Sequence, residues 1–343
     1  IHMIGASIKR ARLANCLSLQ QLVDRMKDNG VPITKTTLFN YEAGSIIPSD
    51  NLLEIFGQVL GVNKNFFFHA LPENFNIELT EELGSVDARR QELLAYIQIQ
   101  LGQLTRIAET IGFDLTHRFL IREPIEVRSV DDAEEAADRL RELIQLGIHP
   151  ISSVCALLET HGYYVFTLPD TFHWKLVSGR IVDSGIHFIM ASKEFYLDDF
   201  RFNLVRELGK NILCCPTSDK EAILDRFAAS FLVPRKALLL EFGAARSNIG
   251  YDELRCVKQK YGLSRTIIFS RLAQVGILSE KDAFLLRQRM VLNYHISRTS
   301  MTFTPLNFYE QPTVMYALTR RAISEGYIRS EEELDFATLI PLY

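Results

Sequence analysis

The stretch Phe202-Asn-Leu-Val-Arg-Glu-Leu-Gly-Lys-Asn-Ile-Leu213 places apolar residues at helical spacing and carries an unusual set of charges. In a helix, Arg206 and Lys210 lie on one face because they are four positions apart, and Glu207 follows Arg206 directly. Arginine stays protonated at any working pH, and lysine offers a lone pair only after strong desolvation. Two cations repel a divalent metal ion, so we expect this face to hold no metal, and we expect no other cofactor.

The same spacing occurs in the His-Glu-x-x-His helix of zinc peptidases, where both histidines bind Zn²⁺ and the glutamate is the general base. Residues 202–213 resemble the Phe-Thr-Leu-Ala-His-Glu-Leu-Gly-His helix of the ImmA/IrrE family. Arg206 and Lys210 stand at the two histidine positions, whereas Glu207 keeps the glutamate. The resemblance therefore implies a zincin-like domain with a degenerate zinc motif that is not an enzyme.

A second stretch, Lys220-Glu-Ala-Ile-Leu-Asp-Arg-Phe-Ala-Ala-Ser-Phe-Leu-Val-Pro234, is similar to that family's second helix, Glu-x-x-Ala-Asn-x-Phe-Ala-Ala-x-Leu-Met-Pro. Glu221 is the nearest candidate for the family's third zinc ligand, although Leu-Asp replaces the Ala-Asn pair. The alternative interpretation is that Arg206 and Glu207 form an ordinary charged face on a core helix.

Two roles are open for the altered site. In the first, which we favour, Arg206, Glu207, Lys210 and Glu221 form an ion-pair cluster that holds the two helices together. In the second, the site binds a small anionic effector such as a phosphate, a nucleotide or a carboxylate, with Arg206 as a planar fork. Neither role requires hydrolysis.

Composition bounds the class of protein. The chain has 343 residues, of which 47% are hydrophobic and 23% charged, which predicts a globular protein with two or three domains. Its five cysteines form no Cys-x-x-Cys pair, and there is neither a membrane-spanning apolar run nor the apolar core of a signal peptide. We expect a reduced, cytoplasmic chain without membrane contact. Residues 1–70 carry seven Lys or Arg against five Asp or Glu, which weakly favours a nucleic-acid partner for this segment.

The N-terminal segment predicts five short helices. Ser18 and Thr34 are suitable caps for a second helix at 19–27 and a third at 35–42, and Pro48 precedes a fourth. Ser18-x-x-x-Leu-Val and Thr34-x-x-x-Leu-Phe-Asn-Tyr-Glu-Ala-Gly resemble the helix-turn-helix of the XRE family, although the turn between the two helices is a few residues longer than usual. The resemblance implies that the third helix is a recognition helix for double-stranded DNA.

The expected DNA-binding residues lie on three predicted helices. Side chains at the start of a recognition helix reach base edges or phosphates, and a helix N-terminus attracts phosphate. The candidates are Lys35, Thr36, Thr37 and Asn40 on the third helix, Gln20 and Gln21 on the second, and Arg10 and Arg12 on the first. The alternative is that the segment serves only for dimerisation.

The middle of the chain predicts a polar linker at 71–85 and a long amphipathic helix at 87–111. Its apolar residues step at nearly heptad spacing, so the helix either pairs with a second copy or packs on the chain's own domain. We expect a homodimer in either case, because helix-turn-helix repressors usually read two half-sites.

The order of the remaining elements predicts an α/β unit and then helices. Strands are predicted at 163–168, 180–182 and 186–190. The resemblance to the ImmA/IrrE family implies that they form a small sheet that packs on the two helices with the altered site. Residues 251–278 resemble a second helix-turn-helix, which we interpret as structural.

We therefore predict a mainly α protein with a small α+β domain. Its predicted parts are a helix-turn-helix domain at 1–70, a linker and long helix at 71–128, an ImmA/IrrE-like pseudo-peptidase domain at 129–240, and a helical C-terminal region at 241–343. The predicted function is that of a DNA-binding transcriptional regulator in which the second domain serves sensing, dimerisation or partner binding. An active metallopeptidase that cleaves a repressor and a protein-binding adaptor are the alternatives.

Overall fold

A computed structural model describes residues 2–69, 75–81, 88–116, 121, 123–193, 195–216, 218–293 and 310–329. Within these residues the chain is mainly helical and contains a small mixed sheet. The predicted fold class, mainly α with a small α+β region in the middle, is thereby confirmed. No helix in the described part of the chain has the length and apolar content needed to cross a bilayer.

The helices in chain order are α1 (His2–Ala14), α2 (Leu19–Asp28), α3 (Lys35–Glu42), α4 (Asp50–Leu60), α5 (Ala88–Thr110), α6 (Asp132–Leu143), α7 (Val154–Thr160), α8 (Leu197–Ile212), α9 (Lys220–Leu232), α10 (Arg235–Phe242), α11 (Tyr251–Tyr261), α12 (Arg265–Val275), α13 (Glu280–Asn293) and α14 (Val314–Ser324). A short 3₁₀ helix spans Lys64–Phe68. The strands are β1 (Ile77–Leu79), β2 (Ile125–Glu126), β3 (Tyr163–Leu168), β4 (Leu176–Ile181), β5 (His187–Ser192) and β6 (Leu213–Cys214).

The chain divides into two compact units, each assembled from several stretches. The first unit comprises Ile1–Arg118, Gly162–Lys193 and Pro312–Tyr343, and the second comprises Phe119–His161 and Glu194–Gln311. The segment 129–240, treated above as one domain, thus contributes to both units. Its strands β3, β4 and β5 belong to the first unit, whereas α8 and α9 belong to the second. The sheet and the helices α8 and α9, expected above in one domain, thus fall in different units.

The four N-terminal helices and the 3₁₀ helix of the first unit surround one apolar core. Caps define where the helices begin: Ser18 forms a capping box with Gln21 at the start of α2, and the Thr34 side chain accepts from the backbone at the start of α3. The fully buried core side chains are Ile8, Leu22, Met26, Leu38, Leu53, Phe56 and Phe67. These helices confirm the elements predicted for the N-terminal segment.

Gly5 lets α1 approach the end of α3 very closely. A Cβ atom at this position would lie 2.7 Å from the carbonyl oxygen of Glu42 and 2.9 Å from the backbone nitrogen of Gly44. Both neighbours are main-chain atoms, which cannot swing aside as a flexible side chain would. The absence of a side chain at position 5 therefore determines where α3 sits.

Helix α5 is buried on more than one side within the first unit. Beyond the predicted stripe, Tyr96, Ile99 and Gln100 are also buried, and the Tyr96 hydroxyl donates to the carbonyl of Thr167 at 2.8 Å. A helix that is covered all round belongs to the interior of a domain. Of the two alternatives above, the structure supports packing within the chain, and it leaves the apolar stripe unavailable for a coiled coil with a second copy.

The sheet of the first unit has the order β1-β4-β5-β3, in which β3 and β5 are parallel and the other pairs are antiparallel. Strand β1 lies in the segment 71–85, which the sequence predicts to be a polar linker. That prediction is wrong for Ile77–Leu79, because this stretch pairs with Gly179–Ile181 of β4 and so extends the sheet at its edge.

In the second unit, α9 packs against both α6 and α8, and β2 pairs in parallel with β6. Gly209 faces α9: an added Cβ atom would lie 3.0 Å from Cδ1 of Phe227 and 3.1 Å from Cδ2 of Leu224. The glycine thus permits the close approach of α8 and α9.

Candidate functional site

Helix α3 is held to its bundle by one buried side chain and leaves most of its residues at the surface. Leu38 is the buried residue of this helix. The Thr34 hydroxyl accepts from the backbone nitrogen of Thr37 at 3.1 Å and so fixes the start of the helix. Lys35 and Thr36 follow directly and are exposed. The first turn of α3 therefore presents a cation, a hydroxyl and a helix N-terminus to solvent.

Two further residues predicted on this helix are only half-exposed. The Thr37 hydroxyl lies 2.8 Å from the Thr34 hydroxyl, so part of its hydrogen-bonding capacity is used in the cap. The backbone carbonyl of Asn40 accepts from Ser45 and Ile46, and its side chain is partly exposed. The candidates for DNA contacts that remain, with side-chain groups at the surface, are Lys35, Thr36 and Asn40.

The glutamines at the start of α2 are exposed but engaged in local hydrogen bonds. Gln21 accepts from the backbone nitrogen of Ser18 at 2.8 Å, and the Gln20 amide donates to Asp24 at 2.7 Å. Because these contacts are at the surface, each glutamine could exchange them for a phosphate. Their predicted role stays a prediction.

Arg12 does not have the position predicted for it. Its guanidinium is buried and binds Glu42 with two hydrogen bonds, Nε to Oε1 at 2.6 Å and Nη2 to Oε2 at 2.9 Å. A third bond, at 2.7 Å, goes to the carbonyl of Leu17. The exposed fractions of the two side chains are 8% and 6%. This side chain ties α1 to the end of α3, which weighs against the predicted contact of Arg12 with phosphate; that contact stays a prediction.

Arg10 is also less available than the sequence indicates. Its Nε atom donates to the side chain of Gln98 on α5 at 3.1 Å, and burial lowers the pKa of its guanidinium. The side chain faces the neighbouring helix in the same unit, so the prediction that it contacts the DNA backbone loses support.

Large apolar side chains that were not predicted to be exposed lie at and after the end of α3. Phe39, Ile46 and Ile47 are exposed within a span of nine positions, and Phe39 is 59% exposed. The backbone nitrogen of Ile46 donates to the carbonyl of Asn40 at 3.3 Å, so the loop after α3 folds back toward that helix. The signal in the sequence is that Phe39 directly follows Leu38, the buried residue of α3, so its side chain leaves a different part of the helix surface.

The residues of α8 that resemble a zinc motif, Arg206, Glu207 and Lys210, all form ion pairs. Arg206 binds Glu221 and lies with its Nε atom 2.6 Å from Oδ1 of Asp225, both on α9. Lys210 pairs with Glu207, with Nζ 2.6 Å from Oε1. The four predicted residues thus form two ion pairs, Arg206 with Glu221 and Lys210 with Glu207, and Asp225 joins the first. Arg206 joins two helices, which agrees with the ion-pair role favoured from the sequence.

The two pairs differ in their exposure to water. Arg206 is 18% exposed, but Glu221 and Asp225 are 71% and 58% exposed, so solvent screens this cluster. Glu207 and Lys210 are 5% and 9% exposed, so their pair is shielded. Burial, opposed by the charge of Arg206, raises the pKa of Asp225. An incoming anion would have to displace two carboxylates from Arg206, which weighs against the effector role at this position.

In the described part of the chain, no group of three or more His, Cys, Asp and Glu side chains is placed to hold a metal ion. On α8 itself, Arg206 and Lys210 are cations, which fit a divalent metal ion poorly.

Buried arginines hold the second unit together. Arg271 on α12 binds Glu134 on α6 with two hydrogen bonds of 2.9 and 3.1 Å. Arg201 on α8 pairs with Glu310 and donates to the carbonyl of Ile151 at 2.6 Å. Arg271 lies inside the fold, so its cation is not exposed for a contact with DNA. This favours the interpretation above that the second helix-turn-helix-like segment is structural.

Comparisons of the chain with protein-family models, with curated proteins and with solved structures found no match.

Proposed function

We propose that this protein is a sequence-specific DNA-binding transcriptional regulator and that its altered zinc motif is non-catalytic. The observation that carries the proposal is the presentation of α3. Its N-terminus is capped by Thr34, Leu38 anchors it, and Lys35 and Thr36 project into solvent. Recognition helices place side chains of their first turns against base edges in the major groove. Helix α3 has the placement and the side chains for this task.

Each side chain of α3 would contribute a different kind of contact. Lys35 can bind a phosphate or the O6 and N7 atoms of guanine, and the Asn40 amide can bind N6 and N7 of adenine. Thr36 can donate to a base edge or to a phosphate. With Arg12 paired internally, the exposed cations of the segment that can contact phosphates are Lys9, Arg25, Lys27 and Lys35. Base contacts from α3 would then supply the specificity.

The proposal includes a homodimer in the cytoplasm. Two copies would read two half-sites, as is usual for this kind of DNA-binding bundle. The contact between the copies has to use a surface other than the apolar stripe of α5, because that stripe is buried within the chain. In this proposal, the binding of a small anionic effector or of a protein partner would change the distance between the α3 helices of the two copies.

The non-catalytic role of the motif is supported by the pairing of its residues. Arg206 and Lys210 are cations at the positions of the two histidines, and both are engaged with carboxylates. The test is elemental analysis of protein purified without chelators, together with the double variant Arg206→His/Lys210→His. We expect no stoichiometric zinc in the native protein and zinc uptake by the variant. Stoichiometric zinc in the native protein would contradict this part of the proposal.

DNA binding is tested by selection from a random duplex library with the full-length protein, followed by footprinting of the enriched fragments. We expect one enriched motif with two half-sites in inverted orientation. Enrichment of no motif would remove the proposed function.

The exposed apolar residues Phe39, Ile46 and Ile47 favour a second candidate, a protein-binding adaptor, because such surfaces commonly mark contacts between proteins. The same selection distinguishes the two candidates. An adaptor would enrich no DNA sequence, whereas a regulator would.

A further inference from the structure

Phe39 occupies an outward-facing position on the helix that the proposed function places in the major groove. It is 59% exposed, and the residues at helical spacing on either side of it, Thr36 and Ala43, are exposed as well. The exposed face of α3 is therefore mixed: a hydroxyl and an aromatic ring stand side by side, next to the ammonium group of Lys35.

The folded protein does not require an aromatic residue at this position. Leu38 is the residue that α3 buries in the bundle, and Tyr41 provides the ring that packs edge-on against Phe56 at 6.2 Å between centroids. The ring of Phe39 leaves apolar area in water, and this area stabilises a complex only when a partner covers it. A functional partner is thus a better explanation for Phe39 than the stability of the helix.

The base edges of B-DNA offer one apolar group in the major groove, the C5-methyl group of thymine. All other groups that distinguish the base pairs there are hydrogen-bond donors or acceptors, which suit Lys35, Thr36 and Asn40 and not a phenyl ring. We propose that Phe39 is a specificity-determining residue that contacts a thymine methyl group in each half-site. This inference rests on the proposed function and adds to it the chemical feature of the operator that the ring recognises.

Replacement of thymine by deoxyuridine provides the test, because it removes the methyl group and keeps every hydrogen-bonding atom. The operator obtained by selection is synthesised with each thymine of one half-site replaced in turn, and the dissociation constant is measured at one fixed salt concentration. For the wild-type protein we expect at least one position at which uracil weakens binding about fourfold, the ratio that corresponds to the burial of one methyl group. For Phe39→Ala we expect weaker binding to the normal operator and no further loss with uracil.

A matched control uses another exposed phenylalanine of the same bundle. Phe68 lies in the 3₁₀ helix, outside α3, and is 44% exposed. Phe68→Ala should keep both the wild-type affinity and the wild-type sensitivity to uracil. Circular dichroism and the melting temperature of both variants should be close to those of the wild type, because neither ring belongs to the buried core.

Several results would overturn the inference. These are wild-type binding that is insensitive to uracil at every position, an operator with no required thymine, and a Phe39→Ala variant that keeps the full sensitivity. If Phe39→Ala binds DNA normally but loses self-association in sedimentation experiments, the ring belongs to a protein interface and the inference is wrong. Failure of the wild-type protein to select any DNA is a different result, since it removes the proposed function itself.

Discussion

The Nζ atom of Lys210 lies 2.6 Å from Oε1 of Glu207, one helical turn earlier, and both side chains are shielded from water. In that environment the cation of Lys210 neutralises the carboxylate of Glu207. The two side chains therefore form a packed ion pair within α8.

Removal of Lys210 should destabilise the protein strongly. Lys210→Met takes away the cation beside a buried carboxylate, and breaking one side of a buried pair typically costs about 3–5 kcal/mol. The double variant Glu207→Gln/Lys210→Met should recover a large part of this loss, because no buried charge then remains without its partner. Urea unfolding measures both effects. Lys281→Met, at an exposed position of α13, is the control; a loss for Lys210→Met no larger than that of the control would refute the shielded pair.

Gly209→Ala should separate α8 from α9. The added methyl group would lie 3.0 Å from Phe227 and 3.1 Å from Leu224, and both of these side chains are fully buried and have little room to move. Overpacking of this kind costs about 1–3 kcal/mol. Calorimetry checks the shift in melting temperature, and Gly250→Ala, where an added Cβ would meet nothing within 4 Å, provides the comparison. Equal effects of the two substitutions would show that the helices are not in tight contact at Gly209.

Arg12→Met should reduce stability without changing the salt dependence of DNA binding. The guanidinium is buried against Glu42, so its loss should cost about 3–5 kcal/mol in the free energy of unfolding. A phosphate contact would instead make the slope of log K against log salt shallower by about 0.9 for each contact removed. Titrations of the selected operator at several salt concentrations separate the two roles, provided that they are made below the melting temperature of the variant. A shallower slope for Arg12→Met would restore the original expectation for this residue.

The contact between Arg271 and Glu134 should make the second unit sensitive to acid. Burial opposes ionisation of Glu134, but hydrogen bonds from Arg271 and the charges of Arg271, Arg226 and Arg235 outweigh it and lower the pKa of Glu134 below its ordinary value of 4.5. A carboxylate whose pKa is lower in the folded state stabilises the fold above the unfolded-state pKa and loses this contribution as the pH falls through the folded-state pKa. Stability should therefore fall below about pH 4.5. In Glu134→Gln this part of the pH dependence should be absent, whereas it should persist in Glu135→Gln, an exposed neighbour. Identical acid profiles for the wild type and Glu134→Gln would contradict the argument.

The sequence predicted local features well because local chemistry determines them. The caps Ser18 and Thr34 set the starts of α2 and α3, and the run of apolar residues at 163–168 became β3 as expected. Such features depend on residues three or four positions apart. They are therefore visible without knowledge of the rest of the chain.

Long-range partners were not predictable in the same way. A basic residue in an amphipathic helix is usually exposed. The guanidinium of Arg12 is buried instead, because it binds Glu42, thirty positions later in the chain. Strand β1 lies in a polar stretch and forms only because β4 offers a free edge for pairing. The long helix α5 showed one apolar stripe in the sequence, whereas its other faces are also covered in the folded unit. In each case the deciding contact comes from a distant part of the chain.

The most direct test of the account is the affinity of Lys35→Ala/Asn40→Ala for the selected operator and for a scrambled duplex of the same composition. Both residues are at the surface of α3, so the variant should fold as the wild type does. We predict that the wild type prefers the operator, and that the variant loses this preference by at least about tenfold, since each good base contact contributes about 1–3 kcal/mol. A variant that still discriminates the operator from the scrambled duplex as well as the wild type would contradict the assignment of α3 as a recognition helix.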